Sequence, residues 1–371
     1  MKKKILFIQS SLGGGGAEKV LIDMLSNFDY TKFDVSLLLF VKNGVYVNDV
    51  DKRVKQYHLC ENIQKNYFLR FALKIYAWFN CKFLLKWILN KQNLESYDYI
   101  ISFMEGIPLI LHSIINKKNA KSISWVHIDM LNNHWTNRFF SKGAELDLYQ
   151  KLDEIVFVSS DALKQFDKLF IGVHTQKRVI LNPILKDKII EMSKVESISC
   201  NKTTIISVGR LAEQKRYDRL IRVAKIVKDK GFDVDFWILG VGGLDSELKR
   251  LAKDLDVDIK FLGFQRNPYA YMAAADIFLS TSSAEGYPLV VAESLCLGKP
   301  IVSTKSTGPI EMLNNGEYGV LTDHDDESIA NGLLSLLESS EQRTYYSKQA
   351  IKRSETFDIE KTMNEVYKSL K

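Results

Sequence analysis

Cysteine is scarce and scattered. The 371-residue chain has four, Cys60, Cys81, Cys200 and Cys296, with no C-x-x-C pair, which excludes a zinc ribbon or a disulfide framework and fits a reducing compartment. Long apolar runs are also missing. Met1-Lys2-Lys3-Lys4 opens like a signal peptide, but the apolar stretch Ile5 to Ile8 stops at Gln9 with no small-residue cleavage site after it, so it reads as a first strand. No low-complexity segment interrupts the chain. With 46% hydrophobic residues, this length suffices for two domains with full cores.

What is present is an alternation of short apolar runs and helical patterns. Strands are expected at 4–9, 33–41, 54–59, 98–103, 122–126, 154–158 and 178–181, and again at 203–208, 233–239, 257–262, 276–280, 300–303 and 318–321. Such alternation predicts parallel sheets covered on both faces, hence two Rossmann-like α/β domains. Ligands of such sheets lie at the carboxyl ends of the strands, so an interdomain cleft is the expected site.

The densest motif follows the strand at 276–280. Glu285-Gly286-Tyr287-Pro288 opens a helical segment through Leu297, with Pro288 expected in its first turn, and Glu293 lies two turns beyond Glu285. The N–H groups of Leu289 and Val290 would then point out of a helix end that favours an anion. Just past the first strand of the second domain come Gly209, Arg210 and Lys215. A guanidinium and an ammonium from one turn can neutralise two phosphates. In the first domain, Gly13 to Gly16 form a glycine-rich turn before a helix, and His127 ends a strand at Trp125-Val126. The other histidines show no metal-binding pattern, and Asp-x-Asp pairs such as Asp233/Asp235 fall away from these motifs, so no metal is expected.

The element Glu285-x7-Glu293, with Gly286 and Pro288 inside it and Gly298-Lys299-Pro300 closing it, resembles the donor-site signature of the retaining glycosyltransferases of family 4. The resemblance implies the GT-B fold, two Rossmann-like domains facing across a deep cleft. It implies an acceptor-binding domain over 1–184, a linker over 185–200, a nucleotide-sugar domain over 201–355 and a last helix, 356–371, crossing back to the first. Roles carry over position by position. Arg210 and Lys215 would bind the diphosphate with Gly209 and the ends of Leu289 and Val290; Glu285, Gly286 and Tyr287 would hold the sugar and Glu293 the ribose. Phe264 would lie under the base, Gly15 and Gly16 would close over the diphosphate and acceptor, and His127 would meet the donor sugar near the reacting centre. The implied activity is metal-independent hexosyl transfer, catalysed by His127, Arg210, Lys215 and Glu285, from a nucleotide-sugar of the UDP type to a lipid-linked or growing cell-surface glycan. No further cofactor is implied. The alternatives are a soluble acceptor, or a catalytically silent partner in glycan assembly.

One stretch departs from the pattern. Residues 62–94 hold eight aromatic side chains, six basic ones and no acidic one. Arg70, Lys74, Lys82 and Lys86 recur at multiples of four, a stripe about 160° wide on a helix. With Trp78 and Trp87 it suits a helix or helical hairpin in the headgroup region of an anionic leaflet. A peripheral place on the inner face of the cell membrane is therefore expected, and no nucleic-acid motif accompanies the charge.

Overall fold

The computed structural model describes residues 1–115 and 119–371. Among them the strands form two wholly parallel sheets, of seven and six strands. The first contains β1 (Lys3–Gln9), β2 (Phe33–Val41), β3 (Lys55–Cys60), β4 (Tyr99–Ser102), β5 (Lys121–Val126), β6 (Glu154–Phe157) and β7 (Gln176–Val179). Their order is β3-β2-β1-β4-β5-β6-β7. The second contains β8 (Thr204–Val208), β9 (Asp235–Leu239), β10 (Ile259–Gly263), β11 (Ile277–Ser280), β12 (Ile301–Thr304) and β13 (Val320–Thr322). Their order is β10-β9-β8-β11-β12-β13.

The central strands are continuous apolar runs because helices cover both of their faces. Ile5, Leu6, Phe7 and Ile8 of β1 are all fully buried, as an alternating half-solvated strand would not be. Leu6, Ile8, Leu38, Ile100 and Phe157 anchor one core, and Ile205, Ile238, Ile277, Leu279 and Val302 anchor the other. The chain accordingly divides into two compact units, Met1–Pro183 with Glu360–Lys371, and Ile184–Ile359. The stretch expected as a linker over 185–200 contains a helix, Lys186–Met192, that belongs to the second unit, because Ile189 buries there.

The last helix, Ile359–Ser369, belongs from Glu360 onward to the first unit. The Tyr367 ring stacks on Phe33 at 5.7 Å and meets Phe28 edge-on at 5.5 Å, while its hydroxyl accepts the Asp29 N–H at 2.8 Å. The Ser369 hydroxyl donates to the wholly buried Glu154 at 2.8 Å, and the Lys121 ammonium donates to the Ser369 carbonyl at 2.8 Å. Glu154 is charge-compensated by Arg178 at 2.7 Å and Lys121 at 3.1 Å, as a buried carboxylate requires. Tyr99 donates to the Leu370 carbonyl. Tyr367→Ala should therefore destabilise the first unit by about 2 to 4 kcal/mol, and Tyr367→Phe by about 1 kcal/mol, because the ring carries more than the hydroxyl. Urea unfolding with unchanged slope and a lowered midpoint is the expected readout.

Candidate functional site

β8 and β11 lie side by side at the centre of the second sheet, where the connections leave in opposite directions, the usual position for a ligand in an open parallel sheet. Gly209 and the exposed Arg210 follow β8, and the loop 281–288 follows β11. Hydrogen bonds tie these turns together. The Gln214 amide donates to the Ala284 carbonyl at 2.5 Å, and the Ser283 N–H returns to the Gln214 carbonyl at 2.8 Å. The Thr281 hydroxyl donates to the carbonyls of Lys215 and Arg216, each at 3.0 Å. Arg216 takes a left-handed conformation with φ 50°, a strain that those contacts and its fork onto Asp218 at 2.8 and 2.9 Å hold in place. From the other side, the Thr307 hydroxyl and the Gly308 N–H donate to the Glu285 carbonyl at 2.7 and 2.9 Å. A Cβ on Gly308 would stand 2.6 Å from the Pro288 ring and 2.8 Å from the Gly286 carbonyl, so only glycine lets the two turns approach this closely.

In that frame the Lys215 ammonium donates to Glu285 Oε1 at 2.5 Å, with both side chains mostly buried. The pair joins two residues that the sequence singled out separately. Glu293, also buried, lies on the helix Leu289–Cys296 and receives the Tyr269 hydroxyl at 3.1 Å. Pro288 is the N-cap of that helix, with ψ 105°, rather than part of its first turn as expected. The reason is that its own carbonyl accepts the first helical N–H groups, those of Val291 and Ala292, at 3.1 and 3.3 Å. The N–H groups of Leu289 and Val290 precede that first bond, so they are the donors at the helix end. Gly286 and Tyr287 are buried in the loop, and Phe264, after β10, is half-exposed.

The first unit places His127 directly after β5; after β1, Gly15 is the extended N-cap and Gly16 the first residue of the helix Gly16–Ser26. His127 is buried, and its Nε2 has no hydrogen-bond partner among the described residues. Burial pushes its pKa down to about 4 against a hydrogen bond to the Phe103 backbone, so the ring is neutral at pH 7 and Nε2 is its acceptor nitrogen. Sequence reasoning missed its neighbour Glu105. That fully buried carboxylate, on the turn after β4, accepts the His127 N–H at 3.2 Å and the Trp135 indole N–H at 3.2 Å. Burial raises its pKa. A second carboxylate, Glu145, takes His134 and Thr136, each at 2.8 Å. A lone Glu in a turn with a helix pattern behind it carries no local signal of such a role.

The basic aromatic stretch forms two helices, Tyr67–Phe79 and Phe83–Asn90, broken at Asn80, which is left-handed with φ 51°. The expected single stripe is therefore split. Arg70 and Lys74 are exposed on the first helix and Lys86 on the second, while Lys82, the N-cap between them, is half-buried and its pKa is lowered by burial. Leu69, Ala72, Tyr76, Leu85 and Leu89 pack into the core. Outward stand Trp78 at 67%, Phe79 at 71%, Phe83 at 72% and Trp87 at 48% exposure, with Phe68 meeting Trp87 edge-on at 5.5 Å to join the helices. Among the described residues no helix is long and apolar enough to cross a membrane, and no group of three or more His, Cys, Asp or Glu could hold a metal ion.

The depressed pKa of His127 has a measurable consequence. Between about pH 6.5 and pH 4 the unfolded chain binds a proton at His127 that the folded chain refuses, so stability falls as pH falls through that window. A difference of this size is worth about 3 kcal/mol. The raised pKa of Glu105 acts with the opposite sign, and comparison with His127→Gln isolates the histidine. Wild type should lose about 3 kcal/mol more than this variant between those limits in urea unfolding at stepped pH.

Comparison with known proteins places the chain in a family. A family model described as Glycosyl transferases group 1 matches residues 188–353. Over its whole length and the whole of the relative, the chain is 31% identical to a Campylobacter jejuni N-acetylgalactosamine-N,N'-diacetylbacillosaminyl-diphospho-undecaprenol 4-alpha-N-acetylgalactosaminyltransferase. It is also 31% identical, over 47% of its length and 51% of the relative, to the lipopolysaccharide core biosynthesis glycosyltransferase LpsE of Rhizobium meliloti. Among solved structures, Anabaena HepE in complex with UDP and glucose aligns over 99% of both chains with a TM-score of 0.77 at 20% identity. The chain belongs to the group 1 glycosyltransferases, enzymes of the family 4 type with the GT-B fold.

Proposed function

We propose that the protein transfers a hexose or N-acetylhexosamine from a UDP-sugar, with retention of configuration, to a lipid-linked or growing surface glycan. The observation that carries this reading is the stitched frame that couples Lys215 to Glu285 beside the Leu289 helix end. It supplies positive charge and backbone donors in one place, where a nucleoside diphosphate departs, next to a carboxylate able to accept sugar hydroxyls. In the proposed reaction the bond between the anomeric carbon and the diphosphate breaks as the acceptor oxygen bonds to that carbon from the same face. The acceptor proton passes to the departing phosphate oxygen. Arg210, Lys215 and the N–H groups of Leu289 and Val290 stabilise the charge that develops there, Glu285 orients the sugar, and Glu293 holds the ribose. His127, neutral and with Nε2 as acceptor, suits a sugar hydroxyl rather than proton abstraction.

The acceptor class draws on two supports. The Campylobacter relative's name specifies a diphospho-undecaprenol acceptor. The exposed Trp78, Phe79, Phe83 and Trp87, interleaved with Arg70, Lys74 and Lys86, offer rings and cations suited to an anionic headgroup layer.

Four measurements test the reading. In a thermal-shift panel of UDP-, GDP- and ADP-sugars with EDTA present, a UDP-sugar should stabilise the protein most, and turnover with a polyprenyl-diphosphate glycan should survive EDTA. Lys215→Ala should lower kcat about 100-fold, as loss of one charge-stabilising donor does. Absence of any nucleotide effect would favour the silent-partner alternative, and a strict need for magnesium would remove the metal-free assignment. Separately, the triple change Arg70→Glu, Lys74→Glu and Lys86→Glu should release the protein from phosphatidylglycerol vesicles; unchanged co-sedimentation would assign these helices to another surface role.

A further inference from the structure

The buried carboxylate of Glu293 has a neighbour that the reading above leaves unused. Tyr269 is the second residue of the helix Pro268–Ala274, which follows the turn after β10. That helix starts at Asn267, whose amide donates to the Met192 carbonyl at 2.9 Å and so fixes the helix against the segment that opens the second unit. Tyr269 is 7% exposed and Glu293 4%, and the phenol hydroxyl stands 3.1 Å from Glu293 Oε1. The phenol brings a donor and no charge. A carboxylate offers about four acceptor positions, so a bond from Tyr269 can set the plane of the group without using all of them. An ammonium in the same place would hold the carboxylate more tightly and compete with an incoming ligand.

We propose that Tyr269 is a positioning residue for nucleotide recognition: through its bond to Glu293 it orients the carboxylate that reads the two ribose hydroxyls of the donor. The proposal rests on the donor-site reading of Glu293 given above. Its consequence is selective. Contacts to the ribose are the same before and during transfer, so loosening them raises KM for the donor and leaves kcat at saturation nearly unchanged. A purely structural defect has no reason to depend on which hydroxyls the ligand carries.

The test uses the full chain with UDP and a UDP analogue whose ribose lacks both hydroxyls, with calorimetric affinities for each. Wild type should prefer UDP by at least about 10-fold, the worth of a hydrogen bond to a charged group. Tyr269→Phe keeps the ring that fills the site, and it should reduce that preference to about 3-fold or less while binding the analogue as wild type does. In Glu293→Ala the preference should vanish, and adding Tyr269→Phe to it should cost nothing more, since one residue acts through the other. A Tyr269→Phe variant that keeps the full preference, or that loses affinity for UDP and the analogue alike, overturns the positioning role. A wild type that binds UDP without any preference removes the ribose role from Glu293 and the proposal with it. A wild type that binds neither ligand instead defeats the donor-site reading itself.

Discussion

Every strand in both sheets runs parallel to its neighbours, and the rest of the structure follows from that constraint. Parallel strands cannot be joined by tight hairpins, so each is followed by a crossover, and the helices of those crossovers cover both faces of the sheet. The covered strands must be apolar throughout, as Ile5 to Ile8 are. All the turns that leave the carboxyl ends of the strands then collect along one edge of each sheet. That edge is where Lys215 and Glu285 meet in the second unit, and where Glu105 and His127 meet in the first.

The two units bury their carboxylates by different means, and the difference bears on what each can do. Glu154, tied to Arg178, Lys121 and Ser369, is fully compensated and serves to fasten the last helix. Glu285 is compensated by one ammonium that a phosphate can share, so its pairing is exchangeable. Glu293 has a phenol donor, and Glu105 has an amide and an indole N–H. Neutral donors of this kind orient a carboxylate without cancelling its charge. Such groups are costly to bury, which is why each is held by hydrogen-bond donors.

The helices Tyr67–Phe79 and Phe83–Asn90 show a different economy. Leu69, Ala72, Tyr76, Leu85 and Leu89 seat them on the first core, while Trp78, Phe79, Phe83 and Trp87 face outward. In the proposed reading this apolar face, with cations beside its rings, would meet an anionic headgroup layer.

Strand positions and the motif around Glu285 were legible in the sequence because each has a short-range signature. Buried parallel strands are runs of four to eight apolar residues, and Glu285-Gly286-Tyr287-Pro288 with Glu293 keeps its spacing within one loop and helix. The aromatic stretch was legible as an amphipathic helix or helical hairpin but not as one of the two, since its periodicity runs on through Asn80 and only the packing of Tyr76 and Leu85 on either side fixes the break. Lys215 bonds to a residue 70 positions away, Tyr269 to one 24 positions away and Glu105 to His127 at 22. No local pattern encodes such partners. The sequence by itself determined which segments become strands and which side chains reach the strand ends. Only the tertiary structure decided which of those side chains touch, because that depends on strand order, and strand order is set by how whole layers pack.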